Sequence, residues 1–280
     1  MKKKSILVFF LILALVILIS GCTSTIPTTG TIEVNSTPAG AKIYLDGVDT
    51  GMATPFTITD VEAGSHVIKL DAFHYQIWEE TVIVVANETK YLNPLLTYAP
   101  PQHITLQPDP IVGVDAQVYS AVPSTNYGDL WFSSIGNSGS TITRMYIKFY
   151  LSAVPANARI VGAYLNLYQY HTSGSNNFTT GLYRVTDDWD ESTITWNLQP
   201  DSSTDAEITN NITAGAGIWE SWWDLDTLVQ GWLDGSITNY GMVLKDTNET
   251  SVNNIAYFYT SDYTGDVTER PKLEIEYYIP

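Results

Sequence analysis

The most specific signature in the chain is Leu182-Tyr183-Arg184-Val185-Thr186-Asp187-Asp188-Trp189-Asp190-Glu191-Ser192-Thr193-Ile194-Thr195-Trp196-Asn197-Leu198-Gln199-Pro200. Its first residues predict a short strand, and the acids around Trp189 predict a corner in the chain. The Thr and Ile residues that follow favour an extended run, which a Trp-Asn turn and Pro200 bring to an end. This order of elements indicates an all-β domain.

Around this stretch, apolar and polar residues alternate as they do in strands of a two-faced sheet. One run alternates Met145, Ile147, Phe149 and Leu151 with Arg144, Tyr146, Lys148 and Tyr150, and another alternates Val161, Ala163, Leu165 and Leu167 with Tyr164, Asn166 and Tyr168. One helix interrupts the strands, with Leu225, Leu228, Val229 and Trp232 on one stripe and Gly235 at its end. We expect residues 111–280 to form one β-domain with a short helix.

The N-terminal half also has a period of two, which predicts a separate small β-domain over residues 31–98. Thr31-Ile32-Glu33-Val34 and Ala41-Lys42-Ile43-Tyr44-Leu45 alternate, and Asp46-Gly47 is a strong hairpin signal. Residues 99–110 contain Pro100, Pro101, Pro108 and Pro110. We interpret them as a semi-rigid, extended linker between two domains.

Residues 1–21 have the layout of a signal peptide, because three lysines precede an unbroken apolar run from residue 6 to residue 19. Ile19-Ser20-Gly21-Cys22 follows and resembles a lipobox, which implies a lipidated Cys22 at the mature N-terminus. The alternative is an uncleaved membrane helix. Either would hold the protein at the outer face of the membrane, with residues 22–30 as a tether. Cys22 is the only cysteine, so no disulfide can form within the chain.

The formal net charge is −17. A surface this acidic repels polyanions, so nucleic acid and anionic membrane surfaces are poor partners. Divalent cations and neutral glycans fit this charge better.

Two family resemblances refine the domain prediction. Thr31-Ile32-Glu33-Val34 and Pro38-Ala39-Gly40-Ala41 belong to a segment that resembles the PEGA domain, although Ala39 stands where that family usually has Glu. The resemblance implies a small β-sandwich of the kind found in cell-envelope proteins.

Residues 111–280 resemble the DNRLRE family, the disaggregatase-related domains also grouped as carbohydrate-binding module family 96. Besides residues 182–200, the resemblance rests on Asp115-Ala116-Gln117-Val118-Tyr119, Arg144-Met145-Tyr146-Ile147-Lys148-Phe149, Trp222-Trp223-Asp224-Leu225 and Arg270-Pro271-Lys272-Leu273. Tyr150 departs from the acid usual at its position. The family implies a larger jelly-roll β-sandwich with one short helix, and some members bind polysaccharide. It does not imply catalysis.

Four acids in the opening stretch are candidate metal ligands: Asp187, Asp188, Asp190 and Glu191. A glycosidase pair is disfavoured, because its carboxylates must face each other across a sugar at roughly 5 to 10 Å, whereas Asp188 and Asp190 would lie side by side. Ca²⁺ takes oxygen ligands from loops, so a structural calcium ion is the alternative, and solvated or capping acids are the simplest interpretation. Nucleophile-elbow, phosphate-loop and His-Glu-x-x-His motifs do not occur, and we predict no catalytic residues.

Aromatic side chains stack on sugar rings, and nearby amides and cations bind hydroxyl groups. The candidates for carbohydrate binding are Tyr127, Trp131, Arg144, Tyr146, Lys148, Tyr164, Asn166, Tyr168, Trp219 and Trp222. We assign Trp189, Trp196, Trp223 and Trp232 to the core. The alternative for the strand residues is an outer face that is merely solvated.

Five sequons are candidate glycosylation sites: Asn35, Asn87, Asn177, Asn211 and Asn248. Taken together, the sequence predicts a noncatalytic cell-surface lipoprotein that binds an envelope or extracellular polysaccharide. A structural or adhesive envelope protein that binds a protein partner or the surface layer is the alternative, and a glycan-cleaving enzyme is a third.

Overall fold

A computed structural model describes residues 28–139, 141–174, 177–250 and 254–280. The predicted signal helix, the predicted lipidation site Cys22 and most of the predicted tether lie outside these residues. Within the described ranges, no helix is long and apolar enough to cross a membrane.

The N-terminal domain is a sandwich of two small sheets. Its strands are β1 (Thr29–Val34), β2 (Lys42–Leu45), β3 (Val48–Ala53), β4 (Phe56–Glu62), β5 (Gly64–Asp71), β6 (Trp78–Val84) and β7 (Thr89–Leu92). The strand orders are β4-β1-β7 and β3-β2-β5-β6. Asp46 and Gly47 join β2 to β3 with φ of 50° and 82°, as the predicted Asp-Gly hairpin turn requires. Ile32, Ile43 and Leu70, all fully buried, lie in the core between the sheets.

The C-terminal domain consists of one curled sheet and one short helix. Its strands are β8 (Gln102–Leu106), β9 (Val114–Tyr119), β10 (Phe132–Ser138), β11 (Thr141–Lys148), β12 (Arg159–Ser173), β13 (Phe178–Arg184), β14 (Ile208–Ile212), β15 (Ile218–Trp222), β16 (Met242–Asp246), β17 (Asn254–Tyr259) and β18 (Lys272–Tyr278). The order is β14-β13-β16-β11-β10-β17-β12-β18-β8, with β9 paired to β11 and β15 paired to β12. The predicted all-β fold with one short helix is confirmed for the described residues.

The sheet curls over a core to which both of its halves contribute. Met145 and Ile147 of β11 and Leu244 of β16 belong to the same buried cluster as Leu165 of β12 and Phe258 of β17. The helix α1 (Asp226–Asp234) adds Leu228, Val229 and Trp232 to this cluster and ends at Gly235, with φ of 77°. The predicted helical stripe and its terminus are therefore confirmed.

Residues 185–200 lie over the outer face of β11 and β16. Val185 and Ile194 are buried there against Tyr146 and Val243, with Trp189 and Trp196 packed at the edge. The Trp189 indole N–H donates to the Tyr240 carbonyl at 2.7 Å. This half of the sheet is consequently buried on both faces.

The segment predicted as a linker contains part of the C-terminal sheet. Strand β8 pairs with β18, with Leu106 opposite Leu273 and Gln102 opposite Tyr277. Only a short connection therefore separates the two domains. They also touch directly, since the His74 ring lies 4.9 Å from the Tyr278 ring.

Candidate functional site

The outer face of β12, β15 and β17 carries the candidate site. Along β12, Ala163, Leu165 and Leu167 are buried in the core. Because successive side chains of a strand point to opposite faces, the residues between them face outward. These are Tyr164, Asn166, Tyr168 and Tyr170, all half-buried.

Four tyrosines on this face form a parallel stack, which we call the tyrosine stack: Tyr168, Tyr170, Tyr259 and Tyr263. The Tyr259 ring centroid lies 5.7 Å from that of Tyr168, 4.8 Å from that of Tyr170 and 3.6 Å from that of Tyr263, with interplanar angles of 5° to 6°. Tyr259 is thus the shared neighbour of the other three rings, and the four parallel side chains form one continuous aromatic patch.

A tryptophan lies at each end of the tyrosine stack. The Trp219 ring is 5.2 Å from Tyr168, and the Trp131 ring is 5.4 Å from Tyr170. The relative exposures of Trp219 and Trp131 are 40% and 46%, so both keep ring surface open to solvent. We call the stack and these two tryptophans the aromatic stripe.

The hydroxyl groups of Tyr168, Tyr170 and Tyr259 remain protonated at neutral pH, because their pKa values are raised above the ordinary tyrosine value. A hydrogen bond to Glu269 raises the pKa of Tyr168, and burial raises the pKa of Tyr170 to about 12. A hydrogen bond with Tyr263 raises the pKa of Tyr259. Neutral phenols donate and accept hydrogen bonds, which suits them to contact the hydroxyl groups of a ligand.

Polar groups lie beside the Trp219 end of the stripe. The Lys272 ammonium is 4.4 Å from the Trp219 ring centroid. Asn166 donates to Glu274 Oε2 at 3.1 Å and accepts a hydrogen bond from the Ser221 hydroxyl. Apolar ring surface and fixed polar groups are thus adjacent.

The predicted candidates Arg144, Tyr146 and Lys148 do not belong to this face. Strands β10 and β17 separate β11 from β12, and residues 185–200 cover Tyr146, which is 2% exposed. Arg144 donates to both Glu249 carboxylate oxygens, at 2.7 and 2.6 Å. Lys148 lies 3.8 Å from the Asp188 carboxylate. The prediction that these three residues bind carbohydrate from an outer strand face is therefore wrong, because residues 185–200 fold over that face.

The predicted roles of Trp222 and Trp223 are interchanged. Trp222 is fully buried and contacts the Phe258 ring, whereas Trp223 is 57% exposed and lies 4.6 Å from the Tyr164 ring. The register of β15 causes this, because Trp222 and Glu220 share its inward face. Tyr127 is half-buried beside Tyr119, at a ring distance of 6.5 Å.

Three of the four acids predicted as metal ligands do not converge. Asp187 and Asp188 are exposed, and Asp190 Oδ1 accepts hydrogen bonds from the backbone N–H, at 2.8 Å, and the hydroxyl of Ser192. These hydrogen bonds lower the pKa of Asp190. The fourth acid, Glu191, points inward and meets Asp115 and Asp262, with one carboxylate oxygen of each within 4.8 Å of the others.

The sequence interpretation missed five residues of these arrangements. Tyr170, Tyr259 and Tyr263 complete the aromatic stripe, and Asp115 and Asp262 complete the acid cluster. The period-two spacing of Tyr168 and Tyr170 was a usable signal, as was an acid within the short strand around Val118. Sequence spacing alone gave no sign that Asp262 lies near either partner.

Two family models match the chain. Carbohydrate-binding module family 96 matches residues 111–277, and the PEGA domain matches residues 29–97. Both resemblances found in the sequence are thereby confirmed. A comparison with curated proteins gave no significant match.

Among solved structures, the full-length major pilin SpaD from Corynebacterium diphtheriae matches 90% of this chain and 56% of its own, at 7% identity and a TM-score of 0.18. This chain therefore spans little more than half the length of that pilin, and the two superpose poorly.

Proposed function

Because this chain belongs to carbohydrate-binding module family 96, we propose that it is a noncatalytic surface protein whose C-terminal domain binds a polysaccharide along the aromatic stripe. The membership itself indicates carbohydrate binding by residues 111–277. The observation that supports this location is the open pair Trp131 and Trp219, joined by the tyrosine stack.

The shape of the stripe favours an extended chain of sugars over a single small molecule. Small-molecule sites are concave clefts that bury most of their ligand. The stripe instead crosses three strands on the outside of the sheet. The C–H groups of two sugar rings would pack on the solvent-exposed parts of the Trp131 and Trp219 indoles, and the tyrosine hydroxyl groups would bind sugar hydroxyl groups between them.

A neutral polysaccharide suits the surroundings better than a strongly anionic one. Lys272 lies against Trp219, but Glu269 and Glu274 lie near the same end of the stripe. The net charge of −17 adds a long-range repulsion of anions at low salt.

The noncatalytic role is supported by the nature of both matched families, which are binding modules. We further propose that the signal segment and Cys22 anchor the protein to the outer face of the membrane, as the sequence predicts. The PEGA domain would then act as a spacer that carries the C-terminal domain outward.

Binding of the purified full chain to a panel of neutral and acidic polysaccharides tests the proposal. We expect saturable binding of a neutral polysaccharide, and we expect Trp131→Ala and Trp219→Ala each to weaken it by roughly tenfold, since a stacked ring contributes about 1 kcal/mol or more. Tyr91→Ala is the matched control, because Tyr91 is an aromatic of the other domain that is 68% exposed. Absence of binding to every polysaccharide by a folded chain would favour the structural or adhesive role.

A further inference from the structure

Three carboxylates from distant parts of the chain meet at one point of the C-terminal domain. Asp115 lies in β9, Glu191 lies in the acidic corner of residues 185–200, and Asp262 follows β17. One oxygen of each lies within 4.8 Å of the other two. Among the described residues, these three carboxylates are the acidic group whose oxygen atoms lie close enough together to bind one cation.

Asp115 is fully buried, and only one of its two carboxylate oxygens has a partner. Oδ2 accepts a hydrogen bond from the Ser261 backbone N–H at 2.9 Å. Oδ1 is buried without a hydrogen-bond partner. A buried carboxylate oxygen without a donor carries a large desolvation penalty. An occupant that supplies positive charge would remove this penalty.

The two neighbouring acids are oriented toward the same point. Glu191 Oε1 accepts from the Asp115 backbone N–H at 2.9 Å, which fixes the carboxylate beside Asp115. The Glu191 backbone carbonyl accepts from the Asn126 amide at 2.7 Å, so the turn that carries Glu191 is also held. Carboxylates positioned by backbone groups are typical of preorganised cation sites.

The charges around the cluster are mostly negative. Burial raises the pKa of Asp262, and a fourth acid, Asp129, raises the pKa of both Asp262 and Glu191 further. Arg270 is the cation that acts on Asp262 and lowers its pKa, but its Nε donates to the Tyr263 carbonyl. Burial raises the pKa of Asp115 to about 7 and that of Glu191 to about 6.

We propose that Asp115, Glu191 and Asp262 bind a divalent calcium ion that joins β9, the acidic corner and the turn after β17. Ca²⁺ takes six to eight oxygen ligands in a flexible geometry, so water would complete a shell begun by three carboxylates on separate segments. Mg²⁺ requires a near-ideal octahedron, which such segments suit less well. This inference does not rest on polysaccharide binding.

The test is a thermal melt of the purified full chain after chelation, without and with about 1 mM Ca²⁺. For a site filled at about 100 times its Kd, the transition of the C-terminal domain should rise by ~5 to 10 °C. Calorimetric titration should give one calcium ion per chain. Trp131 lies beside Asp262 in one surface depression, so Tb³⁺ in the site should also luminesce on excitation of tryptophan.

Asp262→Asn tests the site itself, because Asp262 is only half-buried and its substitution leaves the core intact. We expect at least a tenfold loss of calcium affinity. Asp187→Asn is the matched control, an exposed acid close to Glu191 in sequence, and should keep the full response. Asp115→Asn should abolish the response without lowering the melting temperature of the chelated protein, since it removes an uncompensated buried charge.

Two results would overturn the proposal. One is a native chain whose melting temperature does not respond to Ca²⁺ and that binds none by calorimetry. The other is an Asp262→Asn variant that responds as the Asp187→Asn variant does. The first would mean that these carboxylates hold no calcium ion, and the second would mean that calcium binds elsewhere on the chain.

Discussion

Arg159 Nη1 donates to Asp71 Oδ1 at 2.6 Å, and Arg159 Nη2 donates to Asp71 Oδ2. This bidentate ion pair connects β12 of the C-terminal domain to β5 of the N-terminal domain. The ion pair is partly shielded from solvent, because only 11% of the Asp71 side chain is exposed. Together with the ring contact between His74 and Tyr278, it fixes the relative position of the two domains.

Asp71→Asn should loosen this junction. A hydrogen bond to a charged group contributes roughly 1 to 3 kcal/mol to stability. At this half-buried pair, we expect the substitution to lower the free energy of unfolding by ~1 to 2 kcal/mol. Small-angle scattering should report a wider range of interdomain distances. Glu207→Gln is the control, because it breaks a 3.6 Å ion pair with Arg184 inside one domain; equal scattering from the two variants would contradict the prediction.

The stability of the N-terminal domain should depend on pH through His66 and Asp46. His66 Nδ1 donates to Asp46 Oδ2 at 2.7 Å, which raises the pKa of His66. The Val67 backbone N–H and His66 lower the pKa of Asp46. The contribution of His66 to folding stability is fully present below its unfolded pKa of about 6.5 and is lost as pH rises through its folded pKa. The contribution of Asp46 to folding stability is lost at the acidic end instead, as pH falls below about 4.

The melting temperatures of the native chain and of His66→Gln test this dependence. Their difference should be largest between about pH 4 and pH 6.5 and should shrink toward pH 8. A difference that stays constant over this range would show that the pair acts through packing alone.

Trp222 and Trp223 should respond differently to the same substitution. Trp222→Ala removes a fully buried ring and should cost about 3 to 5 kcal/mol of stability. Trp223→Ala should cost less than about 1 kcal/mol, because that ring is mostly exposed. Chemical denaturation of both variants measures this, and equal losses would contradict the assigned strand register.

Gly128→Ala should displace the acidic corner. A Cβ at residue 128 would lie 2.4 Å from the Glu191 carbonyl oxygen, too close for any contact. We expect the free energy of unfolding to fall by ~1 to 3 kcal/mol. We also expect Ca²⁺ to raise the melting temperature by less than it does in the native chain. Gly215→Ala is the control, because its Cβ would meet only the flexible end of the Ile218 side chain, at 2.9 Å. Equal shifts in the denaturation curves of the two variants would argue against a clash between residue 128 and Glu191.

Cys22→Ser tests the proposed lipid anchor. The native protein should partition with membranes and carry the added mass of acyl chains at a mature N-terminal cysteine, since two chains anchor stably. The variant should lack that mass, whereas Ser24→Ala should behave as the native protein does. If Cys22→Ser stays in the membrane at the mass of the full chain, the N-terminal segment is an uncleaved helix.

Part of the candidate site could be predicted from the sequence, and part could not. Tyr164 and Tyr168 were assigned to an outer face correctly, because alternation along one strand reports side-chain direction directly. Trp222 was misassigned, because its direction depends on where β15 begins. Glu191 was found as a possible ligand, but its partners Asp115 and Asp262 come from other segments.

Local sequence patterns are sufficient to predict the two β-domains, their family resemblances, the helical stripe and the inward faces of the long strands. These depend on residue spacing within single elements, where backbone geometry sets side-chain direction. Which outer face stays open, and which acids meet, depends instead on how the strands pair and pack. Strand order places β10 and β17 between β11 and β12, and residues 185–200 cover one half of the sheet. Such long-range pairings arise from packing of the whole chain, which no local pattern encodes.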